Sequence, residues 1–464
     1  MANEDLALMG HLMRRAGFGA TRDELETYAA RGYESVVDDL LNPERFPPVD
    51  EDLIQRYYDS KENPILAAGV WIYRMVNTKR HLEEKMSLFW HQVFATSQFK
   101  VKHTRSLVGQ IKMFRSFGLS NMRTLLTELS EDPAMIFFLD NHTNLKEEPN
   151  ENYGRELLEL FSMGVGNYSE EDIKMAARAF TGWTVTQPIP VYPQGGHPAE
   201  FVYREEEHDD SVKTFLGETG RFNGGDIVDI VARQPATAKF VSRHLYNYFV
   251  ADEPQVPSWH DLPPHDPDAI DALSKAYTDS GGDLRAIMRV LLNSDFFKEA
   301  RFKKVKSPAE LVAGIIKLVG THKTPEAGIT EYSTATAVMG QELLNPPTVE
   351  GWHTGKEWID GGILGERVNF AADQVGDVTK PGVRSMVDRI AASGSSLSPD
   401  ETVAACLDIL GPVEPGDETR AALLRHATSA GTLRFDNEEE REKSSAQIVR
   451  MLQLVVASRE FQFA

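Results

Sequence analysis

Residues 149–183, PNENYGRELLELFSMGVGNYSEEDIKMAARAFTGW, decide the fold class. Apolar residues recur there at the spacing of one helix face, which predicts a helix over 152–163: Tyr153, Leu157, Leu160 and Phe161. The run from Ser169 to Asp172 predicts the start of a second helix over 169–181. A serine hydroxyl and an acidic side chain can satisfy the free backbone N–H groups of a first turn. Gly182 is expected to end that helix.

The same helical periodicity extends through most of the chain on both sides of this stretch. Candidate helices cover 34–42, 66–97, 105–117, 120–130, 152–163, 169–181, 226–233, 235–250, 267–280, 284–293, 306–320, 333–344, 383–393, 399–410, 417–430 and 442–459. Residues 184–225 are the least helical stretch, rich in proline and glycine with two short β-like segments. We therefore predict a mostly α, multi-helical globular body with a small irregular or β-hairpin insertion near 184–225.

Pro- and Gly-rich breaks suggest how the chain is divided. After 184–225, a second break lies at 251–266, which is rich in Pro and Asp, and a third at 345–367, where two prolines and several glycines interrupt the helical pattern. We predict a main helical body over 1–320 that carries the central stretch, a Pro/Gly-rich connecting region over 321–369, and a C-terminal helical subdomain over 370–464.

Composition excludes several classes of function. The 464 residues are 41% hydrophobic and 26% charged, close to globular averages. The net charge of -21 at pH 7 argues against a nucleic-acid site, which needs clustered Lys and Arg, and against electrostatic docking on anionic lipid. No stretch has the length of apolar sequence that a membrane-spanning helix needs. We therefore expect no nucleic-acid partner and no membrane insertion.

Cysteine usage and the N-terminal residues bear on compartment and redox chemistry. Cys406 is the single cysteine, which excludes an internal disulfide and a Cys-rich metal site. It sits in an apolar helical run and is expected to be a small buried side chain. The first residues lack the apolar region of a secretory signal. We expect the chain as given to be cytoplasmic, or exported if a signal peptide has been removed.

The central stretch concentrates polar groups that suit acid–base chemistry. We predict catalytic roles for Glu151, Arg155, Glu156 and Glu159, and substrate contacts for the amides Asn150 and Asn152. Paired carboxylates divide into acid and base when their environments separate their pKa values, and a nearby arginine keeps one ionised. The alternative is an ion-pair network that locks two helices, including an ordinary i, i+4 pair between Arg155 and Glu159.

Four further residues complete the predicted substrate contacts: Asp140, Arg178, Trp183 and Trp352. The two tryptophans would offer stacking platforms at a pocket mouth. The alternative is that Trp183 is a buried anchor and that Trp352 belongs to a rigid packed loop.

Candidate metal ligands come from separate segments. Glu84 and His91 lie almost opposite the apolar face of their helix, about 10 Å apart along its axis. They would either form a solvated polar face or bound one cavity. His208 and Asp209 are adjacent, as in a metal or general-base site, but they belong to an acidic run that also fits an exposed surface. His91, His208 and Asp209 with Glu156 would suit zinc, iron or manganese, so a divalent metal is a candidate cofactor.

Standard catalytic motifs are absent from the sequence. It contains no P-loop, no dinucleotide-binding glycine fingerprint, no HExxH, no G-x-S-x-G and no repeated E-x-x-H pair. Established motifs therefore do not decide whether the chain is an enzyme.

The motifs together resemble the bacterial family called domain of unknown function 1800. The resemblance lies in residues 11–19, 84–91, 132–135, 139–141, 149–183, 208–217, 234–237, 306–308 and 346–352, so it spans nearly the whole chain. It implies no settled activity. It does imply that relatives are often exported and that their genes often neighbour those of a sulfatase-like family.

This chain departs from the family pattern in two respects. Its first residues lack the apolar region of an export signal, so the exported location of many relatives is not expected for the chain as given. Where many relatives have Trp-His-Asn-His-Phe, this chain has Trp90-His91-Gln92-Val93-Phe94, so a site that requires both histidines would be broken here.

Three functions remain open from the sequence. The first is a hydrolase that uses the glutamate cluster on a polar substrate such as a saccharide, which needs two carboxyls about 5–10 Å apart. The second is a metal-dependent enzyme with mixed His and carboxylate ligands. The third is a non-catalytic partner or assembly protein, which the gene pairing in the family favours.

Overall fold

The predicted fold class is confirmed, since the protein is mostly α. The structure, a computed structural model, describes residues 2–186 and 199–464. Its α-helices are α1 (Ala2–Arg15), α2 (Arg22–Arg31), α3 (Tyr33–Leu41), α4 (Glu51–Tyr57), α5 (Pro64–Asn77), α6 (His81–Val93), α7 (Gln98–Val101), α8 (Thr104–Phe117), α9 (Met122–Ser130), α10 (Pro133–Phe138), α11 (Asn152–Glu159), α12 (Glu170–Ala179), α13 (Gly224–Ala232), α14 (Pro235–Phe249), α15 (Pro267–Ser280), α16 (Leu284–Asn293), α17 (Asp295–Lys298), α18 (Pro308–Val319), α19 (Ile329–Val338), α20 (Gly361–Gly376), α21 (Pro381–Ala391), α22 (Pro399–Ile409), α23 (Asp417–Ala430) and α24 (Glu438–Val456).

The strands form small antiparallel hairpins. Within the described ranges, β1 (Trp183–Val185) pairs with β2 (Phe201–Tyr203), β3 (Lys213–Phe215) with β4 (Glu218–Gly220), and β5 (Ser396–Leu397) with β6 (Leu433–Arg434). The first two hairpins lie in the predicted insertion, which confirms its hairpin character. Part of that insertion, residues 187–198, lies outside the described residues.

Local signals place the ends of the two central helices. Ser169 caps α12, because its hydroxyl accepts from the Asp172 backbone N–H (3.2 Å) while the Asp172 carboxylate accepts from the Ser169 N–H (2.8 Å). Helix α11 ends at Glu159, earlier than predicted. The chain turns back there, and Gly164 in the left-handed region (φ 77°) donates its N–H to the Leu158 carbonyl (3.1 Å).

Helix α6 occupies the centre of the fold and is buried on every side. Its polar residues Glu84, Lys85 and His91 are as inaccessible as Phe89 and Trp90. The predicted single helix over 66–97 is instead two helices, α5 and α6, joined by a turn in which Thr78 accepts from the Arg80 backbone N–H (2.9 Å). The alternative that Glu84 and His91 form a solvated polar face is wrong, because both side chains are buried.

The C-terminal helices pack against the N-terminal ones. The Arg14 guanidinium of α1 donates to the Gly411 carbonyl (2.6 Å), and Arg389 of α21 pairs with Asp23 and Glu26 of α2. One contiguous core contains buried side chains from Met9 to Phe461. Among the described residues, no helix is both long and apolar enough to cross a membrane.

Candidate functional site

Two adjoining cavities form a cleft beside the end of α11. The first has a volume of about 480 Å³ and lies between Glu159, helix α14 and the segment 256–267. The second has a volume of about 330 Å³ and lies between α14 and the segment 350–354. Val256 and Glu350 line both cavities, so together they make one extended concave surface of the size that small-molecule sites have.

One wall of the cleft is aromatic and rigid. The Trp259 ring lies over the Arg243 guanidinium (4.6 Å) and close to the rings of Phe240 (5.5 Å) and His244 (4.6 Å). Arg243 is itself held by the buried carboxylate of Glu253 (2.8 Å). Because Arg243, Phe240 and His244 all come from α14, this helix fixes the orientation of the indole.

His244 presents an unsatisfied nitrogen at this wall. Burial, followed by the nearby charge of Arg243, lowers the pKa of His244 to about 3, so its imidazole is neutral at physiological pH. Its Nε2 atom is buried and has no hydrogen-bond partner among the described residues. A neutral imidazole of this kind can donate to or accept from a bound polar ligand.

Carboxylates border the opposite side of the cleft. Glu159 and Glu350 line it, and Glu156 lies one helical turn before Glu159 on α11. Burial and the like charges of Glu159 and Glu350 raise the pKa of Glu156 to about 7, while Arg155 opposes the shift. Glu156 therefore carries its proton at neutral pH for a large fraction of the time, next to carboxylates from two separate segments.

A loop that depends on a glycine positions Glu350. The next residue, Gly351, has φ of 89°, and a Cβ atom there would lie 2.4 Å from the carbonyl oxygen of Gln92. Only glycine allows this contact. The loop is thereby seated on the end of α6, and the buried Trp352 ring packs against His91 at 5.3 Å.

Three of the four predicted catalytic residues, Glu151, Arg155 and Glu156, line neither cavity. Arg155 pairs with Glu151 (3.2 Å) and Glu170 (2.9 Å) at the surface, not with Glu159. The Glu159 carboxylate instead accepts from the Tyr168 hydroxyl (3.0 Å). The structure therefore separates the four predicted catalytic residues: Glu159 lines the first cavity, Glu156 lies one turn before it on α11, and Glu151 and Arg155 lock two helices at the surface.

The amides and Asp140 organise the turn that leads into α11. The Asn150 side chain accepts from the Asn152 backbone N–H (3.0 Å) and donates to the Asp140 carbonyl (3.4 Å). The Asp140 carboxylate accepts from the Lys100 ammonium (2.7 Å). None of these three predicted substrate contacts lines the two cavities.

Another group of predicted residues holds the hairpin insertion against α12. Arg178 pairs with Asp209 (2.7 Å), and His208 Nδ1 donates to the Thr181 carbonyl (2.9 Å). Trp183 is buried, with its ring beside Phe180 (5.2 Å). The structure thus brings Arg178, His208 and Asp209 together as contacts at the base of the insertion.

His91 lies in the core and not beside His208 and Asp209. Its Nε2 atom accepts from the Leu344 backbone N–H (3.2 Å), and its ring packs between Trp71 (5.4 Å) and Trp352 (5.3 Å). Burial lowers the pKa of His91 to about 3. Over residues 2–186 and 199–464, no group of three His, Cys, Asp or Glu side chains is arranged to hold a metal ion.

Sequence reasoning missed most of the aromatic wall and Glu350. Trp259 lies in the Pro- and Asp-rich break 251–266, and a large aromatic residue in an irregular segment is a signal that could have been used. Phe240, Arg243 and His244 carry no such signal, because they lie within an ordinary helical pattern.

The Glu156 carboxyl should titrate near pH 7, and Glu350→Gln should lower that pKa because it removes a like charge. The measurement is a carbon NMR titration of side-chain carboxyls in glutamate-labelled protein, with the Glu156 signal identified by its loss in Glu156→Gln. Glu342→Gln, which removes an exposed charge elsewhere, is the control and should leave the titration unchanged. A Glu156 pKa near 4.5 in the wild type would contradict the described environment.

Comparison with known proteins identifies a family but no individual relative. Neither the curated proteins nor the solved structures contain a match to this chain. A family model matches residues 11–463, and it covers the cleft, the central helices and the C-terminal helices alike. The chain belongs to the family described as Protein of unknown function (DUF1800).

Proposed function

We propose that the protein is a hydrolase that cleaves a glycosidic bond in a saccharide bound along the cleft. The observation that carries this proposal is the position of Glu156, whose pKa is about 7. It lies one turn from Glu159 and within electrostatic reach of Glu350, and both of these carboxylates line an aromatic-walled cavity. Glycoside hydrolysis needs one protonated and one ionised carboxyl group on either side of the scissile bond.

Glu156 supplies the acid. Its proton passes to the glycosidic oxygen as the bond from that oxygen to the anomeric carbon breaks. Burial and two neighbouring carboxylates keep this proton on Glu156 at a pH where an exposed glutamate has lost it.

Glu350 is the second carboxyl group. It lines both cavities from a loop that Gly351 fixes against Gln92. In an inverting reaction it accepts a proton from the attacking water, whose oxygen bonds to the anomeric carbon. In a retaining reaction its own oxygen forms that bond, and water later displaces it.

The aromatic wall supplies the binding surface. Trp259 and Phe240 offer flat apolar faces of the kind on which the C–H face of a sugar ring packs. Polar side chains in the second cavity, including Asn247 and Gln255, are placed to hydrogen-bond hydroxyl groups. A small number of polar groups that converge on an apolar wall is typical of small-molecule sites.

The test is a screen of purified protein against a panel of polysaccharides and oligosaccharides with detection of new reducing ends. We expect hydrolysis of one class of glycan, and a loss of about 100- to 10,000-fold in kcat for Glu156→Gln and for Glu350→Gln. The matched control is Glu151→Gln, on the surface beside Arg155, which should keep full activity.

Binding separates the acid role from a structural one. Glu156→Gln should still bind the glycan, since its side chain keeps its shape and polarity, while turnover is lost. If no glycan is bound or cleaved by the wild type, or if Glu156→Gln and Glu151→Gln are equally active, the proposal is wrong.

A further inference from the structure

A third cavity, which shares no lining residue with the cleft, lies where α1, α18 and the segment around Phe461 meet. Its volume is about 50 Å³, and Arg14, Lys306 and Glu310 line it together with small and apolar residues. Three separated segments of the family resemblance converge at this place: residues 11–19, 84–86 and 306–308.

Positive charge is concentrated around this cavity in a protein whose net charge is -21. Lys306 lies within electrostatic reach of Arg14, Arg15, Arg367 and Glu310. Lys85 lies within reach of Arg15 and Glu310, and the carboxylate within reach of Arg14 is Glu414. The Glu310 carboxylate is already engaged by Lys85 and by Arg15 (3.4 Å). It therefore leaves Arg14, Lys306 and Arg367 without a carboxylate in direct contact among the described residues.

One edge of the Arg14 guanidinium faces no acceptor in the described part of the chain. Its Nη1 atom donates to the Gly411 carbonyl (2.6 Å), while Nε and Nη2 are buried and have no partner among the described residues. These two nitrogens form the side of the guanidinium that binds two oxygens of one oxyanion with parallel hydrogen bonds. A buried guanidinium with this edge unpaired is costly unless a ligand occupies it.

Two further cations flank the same place. The fully buried Arg367 donates to the Gln462 side chain (2.9 Å) and to the Lys306 carbonyl (2.9 Å), but its Nη1 atom has no partner in the described part of the chain. The Lys306 ammonium donates to the Phe461 carbonyl (2.6 Å), which leaves it further donor capacity. Burial, followed by the charges of Arg14 and Arg367, holds the pKa of Lys306 well below its usual value.

We propose that this cavity binds a compact oxyanion, a phosphate or carboxylate group, through the free edge of Arg14 with Lys306 beside it. An anion here would balance the excess positive charge and would raise the pKa of Lys306 again. A cavity needs about 10–15 Å³ to hold one water molecule, so this cavity of about 50 Å³ has room for a phosphate-sized group but not for a nucleotide. The site is separate from the glutamate cleft and does not depend on the proposed hydrolase activity.

The test is isothermal titration calorimetry of the full-length protein with inorganic phosphate at constant ionic strength set by sodium chloride. We expect saturable binding of one phosphate per chain. Arg14→Lys keeps the charge but lacks the two-pronged edge, and it should bind at least about 10-fold more weakly. Arg14→Gln should bind no phosphate. The matched control is Arg389→Gln, which removes an exposed guanidinium from α21 and should bind like the wild type.

Acetate, titrated in the same way, distinguishes the two sources of the oxyanion. Saturable binding of phosphate alone supports a phosphate ligand, and saturable binding of acetate alone supports a carboxylate ligand. Circular dichroism confirms that the Arg14 variants are folded. If the wild type binds neither ion saturably, or if Arg14→Lys binds as tightly as the wild type, the proposal is overturned.

Discussion

Glu310→Gln should lower the free energy of unfolding by about 3–5 kcal/mol, because it leaves buried cations without their carboxylate. The Glu310 side chain is 6% exposed and accepts from the Lys85 ammonium and the Arg15 guanidinium (3.4 Å) through one oxygen. Its other oxygen accepts from the Ser307 backbone N–H (2.7 Å) at the start of α18. A glutamine would turn an amide NH₂ toward donors that need an acceptor. Urea denaturation at pH 7 measures the change.

The matched control is Glu401→Gln. Glu401 makes the same capping contact with Ser398 at the start of α22, but at the surface and without buried cations. Its replacement should cost about 1 kcal/mol or less. Equal losses in the two variants would show that capping, and not the buried charge cluster, accounts for the Glu310 effect.

The same carboxylate should make stability depend on acid pH. Burial acts to raise the pKa of Glu310, but Lys85 and Arg15 outweigh burial and lower it to about 2. The unfolded chain has a glutamate pKa of about 4.3, so it takes up the proton first. The stabilisation from Glu310 is therefore complete above about pH 4.3 and is lost as the pH falls toward 2.

Glu84→Gln should also be strongly destabilising, by about 3 kcal/mol. The Glu84 carboxylate accepts two hydrogen bonds from Arg115 (2.8 and 2.9 Å) and one from the Trp71 indole (2.7 Å) at the centre of the fold. A neutral amide cannot accept all three or balance the guanidinium. Urea denaturation at several pH values measures the loss.

The pH dependence identifies the charge as the cause. Burial acts to raise the pKa of Glu84, but Arg115 outweighs burial and holds that pKa below its usual value. The difference in stability between the wild type and Glu84→Gln should therefore be full above about pH 4.3 and shrink at lower pH. Glu83→Gln is the control on the same helix, where a partly exposed residue pairs with Arg80 (3.4 Å) and should contribute about 1 kcal/mol or less. A loss for Glu84→Gln that does not change with pH would contradict the ion-pair explanation.

The ion pairs of Glu310 and Glu84 give a structural role to the motif residues near the N-terminus and in α6. The sequence does not show that Arg15 lies close to Glu84 and Lys85. In the structure all three form buried ion pairs in the same core. The sequence leaves open whether polar residues inside apolar helices form a structural network or line a pocket. At α6 they form a buried network that joins the central helix to α1, α8 and α18.

The candidate site was predicted only in part. Glu156 and Glu159 lie one turn apart on a helix, so their periodicity predicts that they lie close together. Glu350 comes from a loop far along the chain, and nothing local predicts that it lies beside α11. His208 and Asp209 are neighbours in sequence, but the structure engages them with Thr181 and Arg178. The domain boundaries near 320 and 370 and the choice among hydrolase, metal enzyme and partner protein stay predictions.

The sequence by itself determined the helical class, the capping of α12 and the family, because periodicity, capping side chains and motifs are properties of short segments. Only the tertiary structure decided which charges are paired and which face a cavity. Electrostatic and hydrogen-bond energies depend on distance and burial in space, and separation along the chain does not set either quantity. The raised pKa of Glu156, the paired carboxylates of Glu84 and Glu310, and the free edge of Arg14 all follow from packing between distant segments.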